Sequence, residues 1–567
     1  MRFRTAFAAS CVAAALLAPA FAADPPAESP ASATTTNATA ELQRLKDLLA
    51  KQQEQIETLR SALEAQKKQL ESLERTQVAG RTTVPSDRLT ASSVPMIVPS
   101  AAGSTSTSRS LDTPLGPPAA PPQQNAVAGQ SNGSESYPTQ LRIGNVGIMP
   151  VGFMDATAVW RDRDAGSSIG SNFGSIPFNN TQQAKLTEFR FSPQNSRLGF
   201  RIDGDWKGTH FIGYNEFDFL GQSGSTALGV TNGAFVPRIR LYWLDVRRGE
   251  WELLGGQSWS MMTPSRKGIS ALPGDLFYSQ VIDVNYMIGL PWTRQPGFRV
   301  LYHPSPKATV GLSFENPNQY IGGSGGGPTV VLPAGLTGLA GSQLDNASNV
   351  LVTPNLHPDI IAKVAFDPNA HVHFEVAGIE RSFRVWNPST NVHSTIAGGA
   401  GAVNGNFEVV KNFRLVTNNF WGAGGGRYLF GNAPDLVVRA NGNLSPIHSG
   451  GFVEGFEWTV KNWLLYSYYG LLYAQKNVTV DANGSLVGYG YRGSANSQNR
   501  SINEFSFGFN QTLWKDPRYG AINFMGQYEF LTRRPWFVAV NSPKEAHDNT
   551  IYINLRYTLP GSPYSPK

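Results

Sequence analysis

Short runs in which polar and apolar residues alternate follow one another through most of the chain. RIRLYWLDV (Arg238–Val246), ATVGLSFENP (308–317) and IYINLRYTL (551–559) are three of them. Most runs are about ten residues long, the length of a tilted strand that crosses a bilayer. Because successive side chains of a strand point to opposite faces, the pattern predicts strands with one apolar and one polar face.

The apolar faces of these strands are rich in aromatic residues, and the connections between strands are uneven. Every second residue from Phe505 to Phe509 is a phenylalanine, and the connections range from a few residues to long glycine-rich segments such as 322–350. Such faces, with short turns on one rim and long loops on the other, are typical of a barrel in a lipid bilayer. We therefore predict an all-β fold, a transmembrane antiparallel β-barrel over residues 137–567 that closes at its last strand.

A different, helical pattern occupies residues 40–76. A sustained a/d register over five heptads predicts a coiled coil rather than a surface helix, whose apolar stripe would be wider. A lone solvated amphipathic helix is the alternative. A coiled coil needs partner helices, so we expect an oligomer. The a positions are Leu42, Leu49, Ile56, Leu63 and Leu70, and the d positions are Leu45, Gln52, Leu59, Gln66 and Leu73.

The N-terminal residues predict export. Arg2 and Arg4 precede an apolar run, and Ala20–Ala22 provides the small residues of a cleavage site, so we interpret residues 1–22 as a signal peptide. Cys11 is the only cysteine and lies within that peptide. The mature chain therefore has no disulfide, thiolate metal site or cysteine nucleophile.

Two segments without periodicity flank the predicted coiled coil. Residues 23–39 should form a short flexible segment, and residues 77–136 are rich in Ser, Thr, Pro and Ala. Because so few apolar groups cannot offset the entropy of ordering the chain, we predict a disordered linker at 77–136.

Composition agrees with many strands and excludes some classes of function. Charged residues make up 16% of the chain, whereas it has 58 glycines and 11% aromatic residues, which suits strands joined by glycine-rich turns. Past the signal peptide no window has the roughly 18 apolar residues of a membrane-spanning helix, so the exported chain is periplasmic, secreted or a membrane barrel. Without the two signal arginines the net charge of +6 falls to +4, which does not suggest a nucleic-acid partner.

Three motifs offer enzymatic or metal-binding alternatives. Gly322–Gly326 fits the G-x-S-x-G pattern of a nucleophilic serine but lacks the flanking strand and helix. His, His and Glu occupy alternate positions from His371 to Glu375 and could bind a metal, although a barrel lumen is lined by such residues in any case. Glu216 and Asp218 share a face as glycosidase carboxylates do, although pairing with neighbouring arginines is simpler. We expect no enzyme activity, metal or cofactor.

The stretch FRFSPQNSRLGFRIDG (Phe189–Gly204) places arginines opposite large apolar residues. Arg197 and Arg201 alternate with apolar side chains, so in a membrane barrel the arginines would face the lumen and the apolar groups the lipid. In RIRLYWLDV the same alternation predicts that Arg238, Arg240 and Tyr242 face the lumen and that Ile239, Leu241 and Trp243 face lipid.

Arginine suits the selection of anions, because its planar guanidinium binds a carboxylate at two points and stays charged at physiological pH. Rings of Arg or Lys build anion-selective pores. We predict a ladder of arginines that is oriented by carboxylates; the alternative is that the arginines are salt-bridged and only rigidify the lumen. The predicted pore-lining residues are Arg190, Arg197, Arg201, Glu216, Asp218, Arg238, Arg240, Tyr242, Arg294 and Arg299.

A resemblance to a known family rests on four segments in the first third of the barrel. They are TEFRFSPQNSRLGFRIDG (187–204), GYNEFDFLG (213–221), RIRLYWLDV (238–246) and GGQSWSMM (255–262). These segments resemble the DcaP-like trimeric porins of Gram-negative outer membranes, and an N-terminal coiled coil agrees with that family. The resemblance implies a homotrimer of barrels with about 16 strands, the size that leaves an aqueous channel. It also implies a preference for small anions, particularly dicarboxylates, and a periplasmic coiled coil.

The sequence thus predicts an outer-membrane porin for passive diffusion of small, preferentially anionic solutes. A structural role is the alternative, in which the coiled coil binds the cell-wall layer and the barrel is an anchor in outer-membrane lipid. Five heptads would span about 50 Å, a useful reach in a periplasm. A barrel enzyme is a third, less favoured interpretation.

Overall fold

The computed structural model of the chain describes residues 140–221, 235–323, 329–347 and 353–561. Strands dominate this part, with five short 3₁₀ helices among them, so the predicted all-β class is confirmed. None of its helices is long and apolar enough to cross a membrane. The predictions for residues 1–22, 23–39, 40–76 and 77–136 lie outside the described residues.

The described residues form 22 β-strands. In chain order they are β1 Leu141–Ile143, β2 Val146–Arg161, β3 Glu188–Ser192, β4 Arg197–Trp206, β5 Thr209–Gly221, β6 Val236–Arg248, β7 Trp251–Trp259, β8 Arg294–Ser305, β9 Ala308–Glu315, β10 Asp359–Asn369, β11 Val372–Asn387, β12 Val392–Val410, β13 Phe413–Ala423, β14 Leu436–Val438, β15 Leu444–Pro446, β16 His448–Val460, β17 Trp463–Ala474, β18 Asn477–Val480, β19 Leu486–Tyr489, β20 Asn499–Asp516, β21 Gly520–Pro535 and β22 Ala546–Thr558. Two small hairpins, β14–β15 and β18–β19, lie in long loops outside the main sheet.

The main sheet closes into an antiparallel barrel. It contains 18 strand segments. The first, β1, pairs only with the start of β2 and is not counted as a wall strand. β3 and β4 pair with successive parts of β2 and together make one wall strand, so the wall has sixteen strands. Closure comes from β22, which pairs with β2 from Phe153↔Thr558 to Arg161↔Thr550. The predicted strand number and C-terminal closure are confirmed.

Short turns join the strands at one rim and long loops at the other, as predicted. The two-residue turns at 207–208, 411–412 and 461–462 each contain a residue with positive φ, which tight hairpins require. At the opposite rim the only short connection between described strands is the four-residue one at 388–391. The long connections are 162–187, 222–235, 260–293, 316–358, 424–447, 475–498 and 536–545.

The outer wall is apolar and the inner face is polar. On β20, Phe505 and Phe507 are 42% and 49% exposed, whereas Glu504 and Ser506 are fully buried. Each Å² of apolar area exposed to water costs about 25 cal/mol. An outer wall with this composition is therefore more stable in contact with the hydrocarbon core of a bilayer than with water. Other large apolar residues of the outer wall are Phe189, Phe191, Leu198, Phe200, Ile239, Leu253, Phe298, Ile551, Ile553 and Leu555.

Residues 260–293, which connect β7 to β8, fold into the lumen and are called the inner loop here. Its apolar side chains are buried; Met261, Met287 and Ile288 are each 1% exposed. Carboxylates of the wall accept hydrogen bonds from its backbone, which holds the loop against strands β9, β10, β11 and β20. The bonds run from Met261 N to Glu315 (2.8 Å), Ser265 N to Glu375 (3.1 Å), Gly268 N to Asp367 (2.9 Å) and Ile288 N to Glu504 (2.8 Å).

The backbone of the inner loop also touches the wall directly at Gly289. This residue has φ 87°, a left-handed conformation that favours glycine. A Cβ at position 289 would collide with the carbonyl oxygens of Phe452 and Leu471. Likewise, a Cβ at position 451 would collide with the Cα of Gly289. Glycine is therefore required on both sides of this contact.

Candidate functional site

Three successive wall strands bring arginines and carboxylates together on the inner face. Asp218 on β5 lies opposite Arg197 on β4 and Arg238 on β6, and Glu216 shares its face. Opposite charges at facing positions stabilise a sheet. We call the following set the arginine cluster: Arg197, Glu216, Asp218, Arg238, Arg240 and Arg294.

Glu216 and Asp218 orient the guanidinium groups of this cluster. Arg240 donates from Nε to Glu216 and from Nη1 to Asp218, both at 2.7 Å. Arg238 donates from Nη2 to Asp218 at 2.7 Å, and Arg197 lies 3.9 Å from Glu216. Both carboxylates and Arg240 are buried, so the two Arg240 pairs are shielded from water. The carboxylates therefore lie where a set of oriented arginines needs them.

Two aromatic residues complete the cluster, and sequence reasoning assigned neither to it. The Tyr286 hydroxyl on the inner loop accepts hydrogen bonds from Arg197 (3.1 Å) and Arg240 (3.4 Å). Although burial opposes it, the charges of Arg197 and Arg240 hold the pKa of the Tyr286 hydroxyl below its usual value. The Trp259 ring lies 5.5 Å from the guanidinium of Arg240 and 5.4 Å from that of Arg294, within cation–π range.

Arg294 provides the unbalanced charge of the cluster. Within the described part of the chain it makes no ion pair, and its Nη1 atom is buried without a hydrogen-bond acceptor. Four guanidinium groups thus face two carboxylates, which leaves a formal excess of two positive charges.

The other predicted arginines lie outside this cluster. The side chains of Arg190 and Arg201 are 48% and 26% exposed and pair with acids on their own strands, Glu188 (3.1 Å) and Asp203 (2.7 Å). Arg299 points inward but is only 3% exposed and donates to Ser258 Oγ at 2.8 Å. Neighbouring side chains cover it, as they cover Arg240, and its predicted part in lining the pore stays a prediction.

Tyr242 was predicted to line the pore, and this was wrong. It is 63% exposed on the outer wall, while Leu241 and Trp243, predicted to face lipid, are buried inside. The register shifts from Glu216↔Leu241 to Phe217↔Ile239, so Arg240 is the extra residue of a β-bulge that inverts the alternation. Strict alternation cannot reveal such a bulge.

The motifs considered for metal binding and catalysis have other partners. His373 contacts Asp367 (2.9 Å) and Glu375 (3.3 Å) through its two ring nitrogens, while His371 lies apart at the short-turn rim with Glu408. In the described ranges no group of three or more His, Cys, Asp or Glu could hold a metal ion. Most of the G-x-S-x-G run at 322–326 lies outside them.

Comparison with known proteins gives a fold relationship. No protein-family model and no curated protein matches the sequence. Among solved structures, the chain is similar to the outer membrane channel DcaP of Acinetobacter baumannii, with 16% identity, 74% of this chain and 99% of that chain covered, and a TM-score of 0.53. An anion-selective porin from Comamonas acidovorans covers 73% of this chain at 12% identity, with 100% of its own chain aligned and a TM-score of 0.41. The expected likeness to the DcaP-like porins is therefore confirmed in the fold: this chain forms a barrel similar to that of the DcaP channel.

Proposed function

We propose that this protein is a passive channel of a Gram-negative outer membrane that admits small, preferentially anionic solutes such as dicarboxylates. The arginine cluster is the observation that carries the proposal, because it places two excess positive charges where the inner loop meets β4 to β6 and the start of β8. A closed sixteen-stranded wall with an apolar outer face supports the membrane location. Barrels of this size leave room for an aqueous path.

A solute carboxylate would meet the arginines in order of their accessibility. The side chain of Arg238 is 39% exposed, whereas that of Arg240 is almost fully buried. Glu216 and Asp218 fix Arg238 and Arg240, so little entropy is lost when they receive an anion. Arg294 makes no ion pair within the described ranges, so no neighbouring carboxylate neutralises its charge. Because the Glu216 and Asp218 carboxylates oppose the same anion, binding stays weak enough for release.

Conductance tests this proposal. Purified protein in planar bilayers should give stepwise currents, and a salt gradient should give a reversal potential that reports anion preference. Steps in groups of three would agree with the proposed homotrimer. A folded, heat-resistant preparation that gives no current would contradict the channel.

A structural anchor is the second candidate, favoured by the a/d register from Leu42 to Leu73. In that role the coiled coil would bind the cell-wall layer, and the barrel would act as a lipid-embedded base. Co-sedimentation of the full chain with purified peptidoglycan, compared with a chain that lacks residues 23–137, distinguishes the two roles. Binding that depends on 23–137, together with no current, would favour the anchor.

A further inference from the structure

A second group of titratable side chains lies inside the barrel, where β20 and β21 face the inner loop. We call Asp283, Glu504 and Glu529 the carboxyl cluster. Asp283 is 1% exposed and the two glutamates are fully buried. Glu529 lies opposite Ser506, the next inward-facing residue after Glu504, and Glu504 accepts a hydrogen bond from the turn that contains Asp283. The three carboxyls are therefore neighbours that repel one another when ionised. This cluster is separate from the arginine cluster and has no part in the function proposed above.

The carboxyl cluster attaches one turn of the inner loop, residues 282–288, to the wall. Glu504 accepts the Ile288 amide (2.8 Å), and Gln527 accepts the Ile282 amide. Asp283 in turn accepts the Ser171 amide at 2.9 Å and the Tyr552 hydroxyl at 3.1 Å. The position of this turn therefore depends on hydrogen bonds to ionisable groups.

The cations that face the carboxyl cluster are already paired. Arg161 pairs with Glu188 at 2.6 Å, and Arg556 pairs with Asp155 at 2.7 Å. Both oxygens of Glu529 are buried without a hydrogen-bond donor. Three buried carboxyls without a cation of their own cannot all be ionised. The other titratable groups that face the cluster from the packed elements are Asp162, Tyr466, Asp548 and Tyr552.

The same turn also reaches the arginine cluster. Tyr286 lies between Asp283 and Ile288, and its amide donates to the Asp283 carbonyl at 3.1 Å. Its hydroxyl receives the hydrogen bonds of Arg197 and Arg240. A displacement of the turn would therefore remove Tyr286 from the arginines. The turn 282–288 therefore connects the carboxyl cluster physically with the arginine cluster.

We propose that the carboxyl cluster is a proton-dependent latch. While it holds a proton, the turn 282–288 stays docked; when the last proton leaves, repulsion among the carboxylates releases the turn, the lumen widens and the arginines lose Tyr286. The proposal rests on the proposed channel for its effect on permeation, but not for the motion itself. Burial raises the pKa of the Asp283 carboxyl on the loop, which agrees with a docked state that binds protons. Docking is then complete at low pH and is lost as pH rises.

Amide exchange in the wild-type barrel tests the motion. Because release costs the cluster one proton, the ratio of released to docked turn should rise about tenfold per pH unit. The exchange rates of the Ile282 and Ile288 amides should therefore rise about tenfold per pH unit more than the intrinsic exchange rate of an unprotected amide does. The Ser265 amide, which donates to Glu375 in another part of the loop, is the internal reference. Equal acceleration at Ser265 and Ile288, or none at Ile288, would overturn the latch. This measurement needs no current, so it separates failure of the latch from failure of the channel.

Single-channel recordings test the consequence. Between about pH 6 and about pH 9 the wild-type conductance should rise by more than the conductivity of the electrolyte changes, and the preference for anions over cations should fall. In Glu504→Gln/Glu529→Gln both should stay at their low-pH values, because the amide oxygen introduced at position 504 still accepts the Ile288 amide but cannot ionise. Glu454→Gln, which alters an exposed carboxylate on the outer wall, is the control and should respond like wild type. A conductance that is flat in the wild type, or still rises in the double variant, would overturn the proposal.

Discussion

Replacement of Arg294 by glutamine is the sharpest test of anion selection by the arginine cluster. Arg294 forms no ion pair within the described ranges, so its removal breaks no existing salt bridge. The formal excess of the cluster falls from two positive charges to one. Because glutamine keeps most of the side-chain volume, the change is mainly one of charge.

The size of the effect follows from Coulomb's law. A unit charge about 5 Å from a permeating anion contributes roughly 1 kcal/mol at the dielectric constant of water and about 3 kcal/mol at an effective value of 20. Salt reduces both figures in a hydrated lumen, so we take about 1 kcal/mol. This corresponds to roughly a fivefold fall in the ratio of anion to cation permeability.

The assay is the reversal potential in a salt gradient, measured at low and high ionic strength. Arg248→Gln is a matched control, because it removes the same charge from an exposed position at the short-turn end of β6. Arg294→Gln should shift the potential toward cation preference, more strongly at low salt, while Arg248→Gln should change it little. Equal shifts in both variants would show that only net charge matters, and no shift in a folded Arg294→Gln barrel would refute the reasoning.

Three further outcomes are expected. Arg240→Gln leaves Glu216 and Asp218 buried with fewer partners and should lower the free energy of unfolding by about 3 kcal/mol in denaturant titrations, an effect absent from Arg294→Gln. Tyr242→Leu lies on the outer wall and should leave conductance and reversal potential unchanged, so a change in either would place this side chain in the ion path. Deletion of residues 23–137 should leave heat-resistant trimers on gels, because barrel interfaces bury most of the contact area; recovery of monomers alone would make the coiled coil the main oligomerisation element.

The alternation of polar and apolar residues was sufficient to predict the wall of the barrel. From Glu504 to Asn510 on β20 and from Thr550 to Leu555 on β22 every second residue faces outward as the sequence indicates, because lipid on one side and polar contacts on the other select each position. Register irregularities interrupt the alternation elsewhere, for example near both ends of β20, and on β6 the bulge at Arg240 made the rule fail for Tyr242. The bulge at Arg240 is stabilised by a contact from the next strand, where Gln257 donates to the Arg240 carbonyl at 3.0 Å, and such a contact leaves no periodic signal.

The candidate site was predictable only as far as it lies on strands. Arg197, Glu216, Asp218 and Arg240 meet because β4, β5 and β6 are neighbours both in sequence and in the sheet. Tyr286 comes from a loop that folds across the lumen, so its position depends on long-range docking that no local pattern encodes. The aromatic and glycine content of 260–293 identifies a loop but not where it folds.

The docking of the inner loop through its backbone has a consequence for how the channel can change. A main-chain amide is supplied by any residue except proline, so its bond to a wall carboxylate survives a change of the side chain at the same position. The buried apolar side chains of 260–293 and the Asp283 carboxyl hold the loop as well, so the positions open to change are the half-buried ones. Substitutions at those positions can retune solute preference at constant channel geometry. Proline at Met261, Ser265 or Ile288 would remove a donor to a wall carboxylate, and any side chain at Gly289 would lift the loop from the wall. Libraries that vary only the half-buried positions of the loop can therefore be screened directly for new permeants.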